Sequence, residues 1–87
     1  MKIKKGFMLR EVAKNYVVVA VGEASKEFNG VINLNETGAF LWKQLIDDNT
    51  VDGVVAALLN EYDVSEEAAR KDVELFINKL KEAKILE

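Results

Sequence analysis

The chain has 87 residues, 49% of them hydrophobic and 31% charged, with a formal net charge of −3. That balance specifies one small folded domain with a core and argues against a disordered tail. The absence of cysteine and histidine excludes disulfides, Cys/His zinc sites, cysteine-ligated iron–sulfur clusters, and Ser-His or Cys-His nucleophile pairs.

The remaining carboxylates, lysines, tyrosines and serines form no recognisable catalytic constellation. The chain therefore reads as a non-enzyme with no metal and no cofactor. A chain of this length has limited surface to bury, so a partner protein or a second copy, as a homodimer, would add to its stability.

In chain order, residues 1–6 read as a loose basic start. Phe7-Met8-Leu9 is cut short by Arg10-Glu11, so no signal peptide is expected. The longest apolar run, Tyr16 to Val21, is too short to span a bilayer. A cytoplasmic location without membrane attachment is the expectation.

Phe7 to Ala13 alternates weakly, with Met8, Arg10 and Val12 on one face and Phe7, Leu9 and Glu11 on the other. Lys14-Asn15 is a candidate two-residue turn into Tyr16 to Val21, whose β-branched residues suit a pleated, half-buried surface. Gly22 to Asn29 reads as a polar loop with Phe28 as its large apolar residue. Asn29-Gly30 then turns the chain into a short third strand, Val31 to Leu34.

Three helices follow. Asn35 stands where an N-cap belongs, able to accept the free amide of Thr37 or Gly38, and Glu36 sets negative charge in the first turn. Leu41, Trp42, Leu45 and Ile46 recur at helical spacing, so the first helix spans roughly Glu36 to Asp47. Asp48-Asn49 ends it, with Asn suited to a left-handed cap. Thr50 caps a second helix with the stripe Val51, Val54, Val55, Leu58 and Leu59. Ser65 caps a third, whose stripe is Ala69, Val73, Phe76, Ile77 and Leu80. It ends near Ala83 or Lys84, leaving Ile85 and Leu86 as a tail.

Strands followed by segregated helices predict an α+β domain: a three-stranded antiparallel sheet, then three helices, the content of a winged helix-turn-helix.

Charge is unevenly distributed. Lys2, Lys4, Lys5, Arg10 and Lys14 cluster at the start against Glu11 alone. No basic residue falls between Gln44 and Ala69, where Asp47, Asp48, Asp52, Glu61, Asp63, Glu66 and Glu67 are acidic. Two solvated surfaces explain this; an acidic face that steers a basic partner is the alternative. On the third helix, Arg70, Lys71, Lys79, Lys81 and Lys84 are balanced by Glu66, Glu67, Asp72, Glu74 and Glu82. A DNA-recognition helix approaches phosphates with fewer acids, which weakens a nucleic-acid reading.

Trp42 falls on the core stripe. Leu75 and Phe40 fall off theirs: single exposed apolar residues are ordinary, and a place in a partner groove is the functional alternative.

The run Leu34-Asn35-Glu36-Thr37-Gly38-Ala39-Phe40-Leu41-Trp42 resembles the Leu-Asn-(Glu)-Thr-small-x-x-aliphatic-(Trp) signature of the PqqD-like family, the RiPP recognition elements. The resemblance extends at pattern level across residues 7–87. It departs in two loops: the Pro-Glu-Gly often seen before the third strand is replaced by Gly22 to Asn29, and the Asp-Gly after the first helix is Asp48-Asn49. These departures imply a peptide product other than a quinone cofactor.

The resemblance implies a non-catalytic domain. It would bind the leader segment of a ribosomally synthesised precursor peptide and present it to a modifying enzyme, often a radical SAM protein. It also implies a site: Val31, Ile32, Asn33 and Leu34 pairing with the leader backbone, beside the third helix. An edge strand offers unpaired main-chain groups, which suits strand addition. On the helix, Ala69, Asp72, Phe76 and Lys79 form the candidate groove wall, while the opposite flank, Arg70 and Glu74, is equally placed by periodicity. A winged-helix DNA-binding regulator and a structural subunit that binds no peptide stand as alternatives.

Overall fold

The computed structural model describes residues 1–27 and 30–87, the Glu27 side chain excepted. Phe28 and Asn29, read above as the apolar residue of the loop and the first turn residue, lie outside the described residues.

Strands β1 (Phe7–Val12) and β2 (Asn15–Ala20) form the expected hairpin. Its turn is Ala13-Lys14 rather than Lys14-Asn15, because Val12 pairs with Asn15 and both Ala13 and Lys14 take positive φ, 49° and 70°. Positive φ at both central residues gives the hairpin turn whose twist matches the flanking strands. Register wins over local turn preference here. A one-residue slip would carry Phe7 and Leu9 from the core face to the solvent face.

The segment after β2 is not all loop: Ala24–Glu27 makes one helical turn, α1. Strand β3 is Ile32–Leu34, so Val31 falls outside the ladder, and it is 56% exposed. β3 pairs antiparallel with β2, giving the order β1-β2-β3.

Helix α2 (Glu36–Gln44) begins at the expected cap. The Asn35 Oδ1 accepts the Gly38 N–H at 2.7 Å. The helix ends at Gln44, three residues before the Asp47 expected from periodicity. Asn49 does not adopt the left-handed conformation. Its side chain instead donates to the Gln44 carbonyl at 3.1 Å, satisfying a helix-end acceptor from outside.

Helix α3 (Val51–Glu61) is capped by Thr50, whose Oγ1 accepts the Gly53 N–H at 2.9 Å. Helix α4 (Glu66–Glu82) is capped by Ser65 Oγ on the Ala68 N–H at 3.1 Å. The α+β, winged-helix-like layout is thus present, with α1 added.

The helices cover one face of the sheet. Val18 and Leu34 pack into a core with Trp42 and Leu45, Val54 and Leu58 of α3, and all five stripe residues of α4. Phe40 does not stand free: its ring meets Tyr62 edge-on, with centroids 5.6 Å apart.

Both chain ends depart from expectation. The tail is fixed by the end of α4. Lys84 takes φ 60°, its N–H donates to the Lys81 carbonyl, and the Ile85 N–H donates to the Leu80 carbonyl at 2.9 Å. This is the Schellman pattern, and its apolar clasp is Ile85 over Leu80, both fully buried.

Residues 1–6, expected to be loose, carry Ile3 at 7% exposure, bridged to Leu86 and bonded through its N–H to the Leu45 carbonyl. The Met1 amine donates to the Asp48 carboxylate at 2.7 Å, holding that carboxyl below the usual carboxylate range. A basic, mostly polar opening hides one apolar anchor, and its burial is a tertiary effect.

Ile85→Ala should lower stability by about 2–5 kcal/mol, the cost of a buried aliphatic truncation; a loose tail would leave the melting temperature unchanged. Asn35→Ala should cost about 1 kcal/mol in a denaturant titration, and no change would show that α2 does not depend on this cap.

Candidate functional site

Hairpin geometry fixes which way each main-chain group of the sheet points. A two-residue turn makes Val12 and Asn15 a hydrogen-bonded pair. The Val21 N–H to Gly6 carbonyl bond, 2.7 Å, falls on the same alternation. Odd residues of β2 therefore turn their N–H and C=O groups toward β1, and Tyr16 and Val18 turn theirs toward β3. Their partners there are Leu34 and Ile32. The main-chain groups of Asn33 are left facing the open edge.

The side chains follow the opposite logic. Leu34 is buried and Ile32 half-buried on the core face, while Asn33 is exposed on the outer face.

Beside the end of this strand lies a groove of about 300 Å³ between the start of α2 and one flank of α4. Asn35, Thr37, Gly38 and Leu41 form one wall; Asp72, Leu75, Phe76 and Lys79 form the other. The α2 wall exists because the cap at Asn35 starts the helix one residue after β3 ends. Gly38 contributes by its smallness: a Cβ there would stand 3.2 Å from Asn35 Oδ1 and 3.3 Å from the Leu34 Cβ. The α4 wall alternates an acid, two apolar groups and a base over two helical turns. The amphipathic 3.6-residue period brings those four side chains to one flank.

The eight residues expected at the site divide accordingly. Asp72, Phe76 and Lys79 line the groove together. Ala69 does not: it is fully buried in the core. Val31 precedes the strand, Asn33 presents the open edge, and Ile32 and Leu34 spend their main-chain groups on β2. On the opposite flank of α4, Arg70 is engaged elsewhere. Arg70 reaches Asp52 of α3 at 3.0 Å and Glu66 at 3.6 Å, contacts that raise its pKa further.

Asn35, Thr37, Gly38, Leu41 and Leu75 are the groove residues absent from the expected set. Leu75, 61% exposed, carried a signal as an off-stripe leucine. Leu41 carried none, because it lies on the core stripe of α2 and is almost wholly buried.

Two comparisons bear on this geometry. Among solved structures, "TbiB1 in Complex with the TbiA(beta) Leader Peptide" is similar at a TM-score of 0.77 and 21% identity, covering 100% of this chain and 95% of that one. "Lasso peptide synthetase B1 complexed with the leader peptide" is similar at 0.73 and 20%, covering 97% and 93%. At these identities the likeness establishes a shared fold. No curated protein matches the sequence. The sequence profile described as Coenzyme PQQ synthesis protein D (PqqD) matches residues 8–86, and the chain belongs to that family.

Proposed function

We propose that this protein binds the leader segment of a ribosomally synthesised precursor peptide as an added strand on β3 and presents it to a modifying enzyme. The observation that carries this reading is the open β3 edge at Asn33 lying directly beside the groove between α2 and α4. Main-chain pairing along the edge supplies affinity for any extended peptide, and the groove supplies discrimination among side chains. Leu41, Leu75 and Phe76 offer an apolar seat, and Asp72 and Lys79 set charge of opposite sign at its two ends. The related folds that hold leader peptides support the same reading.

Magnitudes favour a two-part site. One outward-facing residue, with Val31 beside it, offers few main-chain hydrogen bonds, each worth roughly 0.5–1.5 kcal/mol net. Four such bonds would give about 4 kcal/mol, a millimolar complex. Tighter binding must come from apolar side chains entering the groove. In this reading the protein is a non-catalytic partner, and the chemistry belongs to the modifying enzyme, of radical SAM or another class. The charge balance of α4 disfavours a DNA-binding regulator.

Asn33→Pro removes the outward N–H without touching the β2 ladder, and should weaken leader binding by about tenfold while the protein still folds. Ile32→Pro should instead unfold the sheet edge, because that N–H is bonded to β2. Asp72→Lys and Lys79→Glu, both at exposed positions, should change leader affinity severalfold in calorimetry with little change in melting temperature. Unaltered affinity in all three soluble variants would move the site elsewhere.

A further inference from the structure

Among the described residues β1 pairs with β2 alone, so the sheet has a second edge, open at Leu9. By the alternation derived above, Leu9 turns its N–H and C=O toward that edge. Alongside runs a hollow of about 460 Å³ between β1, the end of α2 and the N-terminal segment. Its apolar lining includes Met8, Leu9, Trp42 and Ile46, of which Met8 and Ile46 are 45% and 52% exposed. Its rim holds Lys2, Lys4, Lys5 and Lys43, and no carboxylate lines it among the described residues. None of these four lysines forms an ion pair among the described residues. Four lysines around an apolar floor, with Asp48 within electrostatic reach of Lys2 alone of the four by its lowered pKa, form a basic patch in a chain whose net charge is −3.

We propose that this hollow is a second docking surface, for an extended, carboxylate-rich segment of a partner polypeptide bearing large apolar side chains. The segment adds to the β1 edge at Leu9, seats an apolar side chain against Met8, Trp42 and Ile46, and sets its carboxylates among the lysines. Charge complementarity selects the acid, and the free edge with its apolar floor selects a polypeptide over a polyanion that lacks main-chain amides. The surface shares no lining residue with the α2–α4 groove. Both can be filled together, so one protein would bridge two chains. The proposal stands whether or not the leader reading does.

The test uses the full chain and a fluorescein-labelled dodecapeptide alternating aspartate with leucine. Controls carry lysine at every aspartate, or serine at every leucine. Anisotropy should report binding of the first peptide alone, weakening about tenfold as salt rises from about 0.05 to about 0.5 M. It should be lost in the double variant Lys4→Glu, Lys43→Glu, whose exposed positions should leave the melt unchanged. In the unaltered protein, the amides of Leu9, Lys43 and Ile46 should shift most.

Five results would overturn the proposal. One is equal binding of either control peptide; another is full binding by the double variant. A third is tighter binding of a single-stranded oligonucleotide. The fourth is concentration-dependent self-association removed by the lysine changes, which would make the occupant a second copy. Shifts confined to Asn33 and Asp72 would also refute it, since the probe would then occupy the other edge.

Discussion

A single hydrogen bond organises the functional half of this molecule: Asn35 Oδ1 accepting the Gly38 N–H. It stops β3 at Leu34 and starts α2 at Glu36, so the chain changes direction within one residue. The abrupt junction keeps β3 short, leaves its outer edge open, and brings the first turn of α2 against α4. Gly38 permits the closeness, because a side chain there would press on both Asn35 and Leu34. Without the cap, four free amides at the start of α2 would lack an organised partner. The groove wall formed by Asn35, Thr37 and Gly38 would lose its definition.

The sheet carries its function through asymmetry. One face is covered by helices and buries Val18 and Leu34. Among the described residues neither edge carries a further strand, and each lies beside a groove of different chemistry: mixed charge and apolar groups at β3, lysines over an apolar floor at β1. Natural proteins usually blunt exposed edges to avoid aggregation. β3 is blunted only by its length, since three residues offer too few main-chain groups to hold a nonspecific strand. In the proposed leader-binding reading, specific recognition therefore depends on side chains entering the groove.

Much of this was legible in the sequence, for reasons that can be named. The α4 stripe of Ala69, Val73, Phe76, Ile77 and Leu80 is buried as its spacing demands, and Asn35, Thr50 and Ser65 cap as their positions suggest. Capping chemistry and amphipathic period are local signals. What escaped was tertiary. Ile3 sits among lysines and carries no periodicity, yet it is buried against Leu45 and Leu86 through contacts more than forty residues away in sequence. Ile85 reads as a tail because its burial depends on Lys84 taking a left-handed conformation that favours glycine.

The candidate site divides along the same line. Asp72, Phe76 and Lys79 share a flank by periodicity and share a groove in the structure. Ala69 lies a turn earlier on that flank and turns wholly inward. The choice between Asp72 and Arg70 flanks was open from periodicity alone, because the tie of Arg70 to Asp52 depends on how α3 meets α4.

The central claim is that the outward main-chain groups of β3 pair with a peptide strand. Amide hydrogen exchange resolved residue by residue, with and without a candidate leader peptide, tests it most directly. The account predicts that the Asn33 amide exchanges freely in the unbound protein and becomes protected in the complex. Ile32 and Leu34, already bonded to β2, should be protected in both states. A complex that forms while the Asn33 amide still exchanges at its free rate would contradict strand addition at this edge.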